Sequence, residues 1–312
     1  MSILCLGQIV FDIIVQPIDE GIFERDTTRV KCIDFSNGGD ALNVAVVSRK
    51  LGNTVGFCGK VGADEKGTYL IQKMERYGLS TDGVIVTSAV PTSTAIALIQ
   101  KNGARNFLFN GGATLTFAYE DIPKHVVKEA DIIFVGGTYT MPLFDGEGAK
   151  KLFKEAKEMG KITAMDVTYD SSGQWMKTIE PCLEYLDYFM PSEEQARDIT
   201  GTDSVEEMAD ILRQKNVKNV LIKMGSQGVY VKNERVNRLF PPPYVDEVID
   251  TTGAGDSFVA GFLTGINRGM NVEDSLELGQ AVAARCICGL GATAGVEDIE
   301  RTILYVQENG GH

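Results

Sequence analysis

Histidine is nearly absent from this sequence, whose 312 residues include only His125 and His312. Histidine is the side chain that most readily exchanges a proton near neutral pH, and it is a common metal ligand. Triads and metal centres that depend on it therefore have little material here. Proton transfer, if the protein catalyses it, has to use carboxylates.

Basic residues are too few to balance the acidic ones. The chain has 30 Lys and Arg against 43 Asp and Glu, a formal net charge of −13, and it contains no dense basic cluster. A surface with this charge repels phosphate backbones and anionic lipids. We therefore expect neither a nucleic acid nor a membrane as a partner.

Paired cysteines and long apolar runs are missing too. The six cysteines form no Cys-x-x-Cys pair and lie mostly in apolar segments, which predicts reduced thiols rather than disulfides or zinc ligands. No 18 apolar residues run together, and the segment MSILCLGQIVFD has neither the basic start nor the cleavage site of a signal peptide. We expect a cytoplasmic protein.

The sequence does contain short apolar runs that alternate with helical patterns. The runs ILCLG, TVGFCG, DIIFVGG, ITAMDVT, YFMPS and NVLIKMG begin at residues 3, 54, 131, 162, 188 and 219. Apolar residues at successive positions are typical of parallel strands covered by helices on both faces. With no repeat or linker in view, the alternation predicts a single α/β domain over residues 1–312, with a doubly wound, mostly parallel sheet.

Two segments, residues 11–36 and 84–111, do not follow this alternation of strands and helices. They alternate apolar and polar residues and contain turn signals such as Asn102-Gly103. We interpret them as antiparallel strands of a small projecting sheet, or lid. Because such a sheet cannot bury both of its faces alone, we expect it to cover a cleft or a partner subunit, which makes a homodimer plausible.

Small residues precede a helical pattern in the segment VIDTTGAGDSF, which runs from Val248 to Phe258. Open backbone N–H groups and the helix dipole would form an anion site there. Asp256 would lie in the first helical turn, where its carboxylate could take a proton from a hydroxyl group. This pattern suits phosphoryl transfer to an alcohol. Alternatively, the glycines only permit close helix packing and Asp256 is a favourable N-terminal charge.

This segment resembles the signature of the PfkB, or ribokinase-like, family of carbohydrate kinases. Upstream, Gly38-Gly39-Asp40-Ala41-Leu42-Asn43 resembles the N-terminal glycine pair of the same family. The resemblance covers essentially the whole chain and is nearest to a poorly assigned subgroup of sugar kinases. It implies a ribokinase-like fold, ATP and Mg²⁺, and a sugar or sugar acid as phosphoryl acceptor. No Walker loop and no Gly-x-Gly-x-x-Gly after the first strand compete with it.

The resemblance implies roles for the residues of both motifs. Asp256 would be the catalytic base. The backbone amides of an anion hole would come from Gly253, Ala254 and Gly255. Acceptor hydroxyls would be bound by Asp12, Gly39 and Asn43. Asp12 could instead be a solvated acid at a strand end, and Asn43 could be a helix cap or a turn residue.

Three further residues are candidates for the acceptor site. Asp40 departs from the usual motif and could bind another hydroxyl or cap the helix that starts near Ala41. Arg105 could meet an anionic group of the substrate or be a solvated turn residue. Asn110 is a weaker candidate for binding a hydroxyl.

The resemblance also implies a nucleotide side and two cation sites. The residues near ATP would be Lys223, Gly225, Gly228 and Gly291. Lys223 could pair with phosphates or be solvated. In relatives, a loop that matches residues 289–293 surrounds a monovalent cation, potassium, together with the equivalents of Asp250 and Thr252, so the resemblance implies such a site here.

One departure from the family concerns Mg²⁺. The family commonly has Asn-x-x-Glu after a proline, whereas Pro191 is followed by Ser192-Glu193-Glu194-Gln195. Gln195 therefore occupies the expected carboxylate position, and Glu193 or Glu194 would have to substitute in the Mg²⁺ network. Thr168 and Asp170 likewise weaken an assignment as a fructokinase or ketodeoxygluconate kinase.

Two other functions fit parts of the pattern. A nucleoside kinase would need aromatic residues for the base, and Phe107, Phe109 and Phe117 are available, although they could also form the core of the lid. A protein that binds sugar and nucleotide with little turnover would account for Gln195, but the intact Asp256 argues against it. The sequence thus favours an ATP-dependent sugar kinase.

Overall fold

The computed structural model describes residues 2–101, 105–245 and 247–309, without the side chains of residues 105 and 306–309. The predicted turn at Asn102-Gly103 lies outside them, as does His312. The strands are β1 (Ser2–Gly7), β2 (Val10–Ile18), β3 (Cys32–Gly38), β4 (Thr54–Gly62), β5 (Ser80–Thr87), β6 (Thr94–Gln100), β7 (Arg105–Asn110), β8 (Ile132–Thr138), β9 (Ile162–Val167), β10 (Tyr188–Phe189), β11 (Asn219–Lys223), β12 (Val229–Lys232) and β13 (Asn237–Phe240). The helices are α1 (Asp40–Lys50), α2 (Glu65–Arg76), α3 (Lys124–Glu129), α4 (Glu147–Glu158), α5 (Met176–Leu183), α6 (Glu193–Thr200), α7 (Val205–Gln214), α8 (Ala254–Asn267), α9 (Val272–Ile287) and α10 (Ile299–Asn309).

The larger sheet has the strand order β13-β12-β11-β10-β9-β8-β1-β4-β5. Neighbouring strands are parallel throughout the part β11-β10-β9-β8-β1-β4-β5, and β12 and β13 are added antiparallel at the β11 edge. All six apolar runs identified in the sequence contain strands of this sheet, as predicted. Every residue of β8 is buried, because helices cover both faces of the sheet.

The core has two layers because neighbouring residues of a strand point to opposite faces. Ile3 and Cys5 of β1 pack with α1, α8 and α9 on one face. Leu4 and Leu6 pack with α3, α4, α5 and α7 on the other face. This arrangement confirms the predicted doubly wound architecture.

The smaller sheet has the order β3-β2-β6-β7 and is built from the two segments that interrupt the α/β rhythm. Two details differ from the prediction. Residues 84–87 belong to β5 of the larger sheet, where Val84 packs against the core. In addition, β2 and β3 are antiparallel, as are β6 and β7, but β2 and β6 pair in parallel. A hydrophobic pattern of period two does not distinguish these pairings.

The N-terminus of α1 lies directly on the carboxyl ends of β1 and β8. A Cβ atom added to Gly7 would lie 2.1 Å from the carbonyl oxygen of Gly136 and 2.7 Å from the Cβ atom of Ala41. In open α/β sheets, ligands bind at the carboxyl ends of the strands. The close approach therefore brings the N-terminal glycine motif to the edge of the sheet where a ligand site is expected.

All six cysteines are free thiols, as predicted, and four of them are buried. Over the ranges that the structure describes, no helix is long and apolar enough to cross a membrane. Within the same ranges, no three His, Cys, Asp or Glu side chains form a group that could hold a metal ion by themselves.

Candidate active site

The two sequence motifs meet at Asp256. Gly253 precedes α8 in a left-handed conformation, with φ of 74°, and Asp256 lies in the first turn of that helix. The Nδ2 atom of Asn43 donates a hydrogen bond of 2.9 Å to Oδ2 of Asp256. Asn43 lies inside α1 and is buried, so it is neither a helix cap nor a turn residue. The hydrogen bond fixes the carboxylate at the start of α8.

The surroundings of Asp256 shift its pKa in opposite directions. Burial raises the pKa of Asp256 to about 6, against the hydrogen bond from Asn43, which lowers it. The negative charge of Asp166 raises this pKa further, and the positive charge of Lys223 lowers it. A carboxyl group that titrates near neutral pH is well matched to exchange a proton with a substrate hydroxyl.

Lys223 places a positive charge at the start of α8. It ends β11 and forms an ion pair with Asp166 of β9, in which both side chains are largely buried. A Cβ atom added to Gly255 would lie 3.4 Å from the Nζ atom of Lys223. Lys223 is therefore not a solvated lysine. The sequence motifs did not indicate Asp166 as its partner, although a lone acidic residue within an apolar strand run was a signal.

The glycines around Asp256 serve different purposes. An added Cβ at Gly253 would lie 2.2 Å from the carbonyl oxygen of Ala292, so Gly253 permits close packing of two loops. At Gly255, the nearest atoms belong to the flexible side chain of Lys223. Close packing thus accounts for Gly253 but not for Gly255, whose backbone faces a positive charge.

Asp12 lies in β2 against the first glycine of the N-terminal motif. A Cβ atom added to Gly38 would lie 2.1 Å from Oδ2 of Asp12. Burial raises the pKa of Asp12 to about 7, and the charge of Lys73 lowers it. Asp12 is therefore not a solvated acid at a strand end.

Gln8, which the motif analysis missed, links the glycine motif to β8. Gly39 has a φ of 101°, and its added Cβ would lie 2.4 Å from the carbonyl oxygen of Gln8. An added Cβ at Gly137 would lie 2.9 Å from Nε2 of the same glutamine. Gln8 is buried directly after β1, and a polar residue immediately after an apolar strand was the available signal.

Asp40 is the first residue of α1, and Gly39 is the N-cap. Asp40 therefore does not cap the helix, and the alternative of a capping role is wrong. Burial raises the pKa of Asp40 well above its usual range, and the charges of Asp256 and Asp166 raise it further. Asp40 thus belongs to the same electrostatic group as the candidate base.

The remaining acceptor candidates lie in β7. Arg105 begins this strand, and its side chain lies outside the described residues. Asn110 ends the strand, where its Oδ1 atom accepts a hydrogen bond of 3.1 Å from the backbone N–H of Gly112. This bond organises a turn, and a role of Asn110 in binding hydroxyls stays a prediction.

The candidate nucleotide residues fall into two kinds. Gly225 and Gly291 have φ values of 55° and 98°, and added Cβ atoms there would meet nothing within 4 Å. An added Cβ at Gly228 would lie 2.0 Å from the carbonyl oxygen of Phe240. Gly228 therefore permits β12 and β13 to pack, whereas the space beside the Cα atoms of Gly225 and Gly291 is open.

The loop before α8 is organised around Asp250. Its Oδ1 atom accepts hydrogen bonds from N and Oγ1 of Thr252, at 2.9 and 2.6 Å, and Oδ2 accepts one of 2.9 Å from N of Gly291. The thiol of Cys286 donates to the carbonyl oxygens of Thr252 and Ala292. The monovalent cation site that the resemblance implies around Asp250 and Thr252 stays a prediction.

Gln195 caps α6. Its Oε1 atom accepts a hydrogen bond of 2.7 Å from N of Ser192, and its own N–H donates to Oγ of Ser192 at 3.2 Å. Glu193 forms an ion pair of 3.0 Å with Arg197, and Glu194 is exposed. The residues proposed to replace a carboxylate at position 195 are therefore an ion-paired glutamate and a solvated one.

Three aromatic side chains that the motif analysis did not connect cluster beyond β8 and β9. The ring of Trp175 lies 5.4 Å from that of Tyr139 and 5.7 Å from that of Tyr169. Asp170 accepts hydrogen bonds from the backbone N–H groups of Trp175 and Ser172, so this departure from the fructokinase pattern organises the loop that holds Trp175.

The aromatic residues that were candidates for binding a nucleobase lie elsewhere. Phe117 is 1% exposed and packs against Phe144 in the core. Phe107 and Phe109 of β7 are more than half exposed. Of the three, only Phe107 and Phe109 are accessible to any ligand or partner.

Residues 1–299 match the pfkB family of carbohydrate kinases. The chain belongs to this family. It is therefore a phosphotransferase that acts on a sugar hydroxyl. The family match spans all thirteen strands described above and both of the motifs that meet at Asp256.

Individual relatives agree with the family assignment. The chain is 30% identical over 247 residues to an uncharacterized sugar kinase of Archaeoglobus fulgidus, a match that covers 79% of this chain and 96% of the relative. The ribokinase of Thermotoga maritima superposes with a TM-score of 0.85 at 26% identity, covering 98% and 99% of the two chains. The Arabidopsis thaliana ribokinase complexed with ribose and ATP superposes with a TM-score of 0.83 at 23% identity, covering 98% of each. The fold is thus ribokinase-like, as predicted.

Proposed function

We propose that this family member transfers the γ-phosphoryl group of ATP to a primary hydroxyl group of a sugar or sugar acid, with Asp256 as the general base. The observation that carries the proposal is the position of the Asp256 carboxylate. This carboxylate lies in the first turn of α8 and is held there by a hydrogen bond from Asn43 of α1. In phosphoryl transfer, the protein positions the reactants and stabilises the developing charge, and a carboxylate takes the hydroxyl proton.

The start of α8 supplies the groups that a transferring phosphoryl group requires. Backbone N–H groups at a helix N-terminus bind anions, and we assign this role to those of Gly253, Ala254 and Gly255, of which that of Ala254 also donates a hydrogen bond of 3.3 Å to the carbonyl oxygen of Thr251. The ammonium group of Lys223, next to Gly255, adds a positive charge. We assign Gly225 and Gly291, beside which there is open space, to the remainder of the nucleotide site.

The acceptor would lie between β2 and the start of α1. Asp12 lies against the first glycine of the pair and Gln8 against the second. Asn43, on the helix that follows the pair, holds Asp256 by a hydrogen bond. A carboxylate that accepts hydrogen bonds from two hydroxyl groups, and glycines that expose backbone N–H groups, are suited to a polyol. Asp40, in the same electrostatic group, would contact a further hydroxyl or the cation that accompanies ATP.

Mg²⁺ fits this group of residues. Proteins bind Mg²⁺ through one or two carboxylates together with substrate phosphates and water. Burial, and after it the nearby charges of Asp256 and Asp166, raise the pKa of Asp40 by destabilising its ionised form, and a divalent cation would relieve the repulsion between these charges. When bound with ATP, Mg²⁺ would neutralise phosphate charge. We assign its protein contacts to this group rather than to the exposed Glu194.

The deciding experiment is a coupled assay of ATP turnover with Mg²⁺ against a panel of pentoses, hexoses, ketoses, sugar acids and nucleosides. We expect turnover on one subset of sugars, reduced by at least about 10²-fold in the Asp256→Asn variant, which lacks the general base. Sugar binding by that variant should persist. Turnover that survives the substitution would remove Asp256 from the mechanism, and turnover on nucleosides alone would identify a nucleoside kinase.

The exposed face of the small sheet suggests a second copy of the chain as its partner. Phe107 and Phe109 point to the same face of the edge strand β7, and each is more than half exposed. Apolar side chains that are neighbours on one sheet usually mark an interface. We expect a dimer in sedimentation experiments, and the double variant Phe107→Ser, Phe109→Ser should shift it to monomer. A wild-type monomer would refute this assignment.

A further inference from the structure

Three aromatic side chains, those of Tyr139, Tyr169 and Trp175, lie in the segments that follow β8 and β9. The Trp175 ring packs edge-to-face against both tyrosine rings, and the Tyr139 hydroxyl donates a hydrogen bond of 3.1 Å to the carbonyl oxygen of Trp175. We call these three side chains the aromatic wall. Tyr139 and Trp175 are partly buried and Tyr169 is 71% exposed, so the wall is a surface that a ligand can contact.

The aromatic wall adjoins the acceptor side of the site. The strands β9, β8 and β1 are neighbours in the larger sheet, and Tyr169, Tyr139 and Gln8 follow their carboxyl ends. Gly137 lies against Gln8, because an added Cβ would be 2.8 Å from Cγ of that glutamine, and Gln8 lies against Gly39. Ligands bind at this edge of open α/β sheets. An acceptor bound at the glycine pair would therefore have the wall as its neighbour on the β8–β9 side.

Two residues of the wall have an unusual backbone conformation. Tyr139 and Trp175 have φ values of 84° and 40°, which residues other than glycine rarely adopt. Asp145 accepts a hydrogen bond of 2.9 Å from the N–H group of Tyr139, and Asp170 accepts one of 2.6 Å from that of Trp175. Residues held in such conformations cluster at ligand sites. The two carboxyl groups thus fix the backbone at the place where the rings meet.

Asp170 carries a negative charge behind the wall. It is buried, and it accepts hydrogen bonds from the backbone N–H groups of Ser172 and Trp175 and from the hydroxyl group of Ser172. Burial raises the pKa of Asp170, but these hydrogen bonds outweigh burial and hold it below its usual range, so the carboxyl group is ionised at neutral pH. Burial, and after it the charge of Asp170, raise the pKa of Tyr139. The field of this carboxylate therefore reaches the wall.

Negative charge is unfavourable on the acceptor side as well. Burial raises the pKa values of Asp12, Asp40 and Asp256, and among the described side chains the cations that act against it are Lys73 and Lys223. Lys223 is already in an ion pair. An acceptor with a negative charge of its own would be repelled here. Hydroxyl groups, in contrast, donate hydrogen bonds to carboxylates.

We propose that the aromatic wall and Asp170 select an uncharged sugar as the acceptor over a sugar acid, with the apolar C–H face of the sugar packed against the wall. This inference rests on the proposed kinase function and narrows its acceptor class. Tyr139, Tyr169 and Trp175 are then specificity-determining residues that contact the part of the acceptor away from Asp256.

The first test uses tryptophan fluorescence, because Trp175 is the only tryptophan of the chain and its emission reports on the wall alone. The Asp256→Asn variant, which should keep sugar binding, is titrated with ribose, fructose and glucose and with the aldonic acids ribonate and gluconate, with and without ADP. We expect an uncharged sugar to change the emission, and its acid to bind at least about tenfold more weakly. Emission that no uncharged sugar changes would overturn the inference, whether or not turnover is found.

The second test reverses the charge of the wall. Tyr169→Arg adds a cation at an exposed position, and the ratio of kcat/KM for sugar acids to that for uncharged sugars should rise at least about tenfold. Met159→Arg is the matched control, because it adds the same charge at the end of α4, before the amino end of β9, and it should leave the ratio unchanged. Where turnover is too slow, Kd values in the Asp256→Asn background give the same ratio.

The outcomes separate this inference from the kinase proposal. Turnover of sugar acids in preference to uncharged sugars would overturn the inference and leave the kinase function intact. If Arg105→Met removed that preference, Arg105 would be the residue that meets the acid. An unchanged ratio in Tyr169→Arg would also contradict the role of the wall. Binding of uncharged sugars at Trp175 without any turnover would support the wall and count against the proposed function.

Discussion

The carboxylate of Asp256 is balanced between burial, which favours its protonated form, and the hydrogen bond from Asn43, which favours its ionised form. Only the ionised form accepts a proton from a hydroxyl group. We therefore expect kcat to rise with pH and to level off above about pH 6, where Asp256 is ionised. Steady-state kinetics between pH 5 and 8 measure this. A flat profile would show that Asp256 does not limit the rate. Asp198→Asn, an exposed substitution on α6, serves as the control for loss of a carboxylate.

Gly38 provides a second prediction for a single residue. Substitution by alanine would place a Cβ atom 2.1 Å from Oδ2 of Asp12, so the carboxylate has to move away from the proposed acceptor site. We expect Gly38→Ala to raise the KM for the sugar by about tenfold or more while changing the KM for ATP little. Gly56→Ala is the matched control, because its Cβ would make an ordinary contact of 3.4 Å with Leu4. Equal sugar KM values for the two variants would remove Asp12 from acceptor binding.

For α8, the residue before the helix determines where its amides point. Gly253 and Gly201 have nearly the same φ, 74° and 73°, but only an added Cβ at Gly253 would meet a neighbour, at 2.2 Å from Ala292. Both Gly→Ala variants should lose about 1 kcal/mol of stability from the positive φ. Gly253→Ala should additionally lower kcat, which turnover and urea unfolding of the pair would reveal. Equal kcat values would show that the turn tolerates displacement.

For α6, Gln195 is a capping residue rather than a missing metal ligand. Gln195→Glu preserves the capping geometry, and we expect stability within about 0.5 kcal/mol of the wild type. Gln195→Ala removes the cap and should destabilise the protein by about 1 kcal/mol. Titration of Mg²⁺ in the turnover assay completes the comparison. A much lower Mg²⁺ requirement in Gln195→Glu would show that the family carboxylate position binds the metal after all.

For the whole molecule, buried carboxyl groups determine how stability varies with pH. Burial raises the pKa of Asp12 and of Asp145 to about 7, and that of Asp256 to about 6. The folded state therefore binds more protons than the unfolded state, and the free energy of unfolding should fall as pH rises from about 4 to 7. The pKa of Asp187 is lowered by its lysine partners, so its contribution is lost only below about pH 4.

Urea unfolding at pH 5 and pH 8 tests this prediction. We expect the higher midpoint at pH 5, in agreement with the smaller self-repulsion of a chain with a net charge of −13 at pH 7. The Asp256→Asn variant should be more stable than the wild type at pH 8, since it removes a buried charge. Greater stability at pH 8 than at pH 5 in the wild type would contradict the pKa shifts.

The layers of the fold, the six parallel runs and the two motifs were predictable from the sequence, because apolar periodicity and helix-start patterns are local in the chain. The position of Asp256 in the first turn of α8 was predictable for the same reason. Three contacts became visible only in the folded chain: Asn43 with Asp256, Asp166 with Lys223, and Lys50 with the loop at Thr293. These contacts join residues more than 50 positions apart, and side-chain packing, which no local pattern encodes, brings them together.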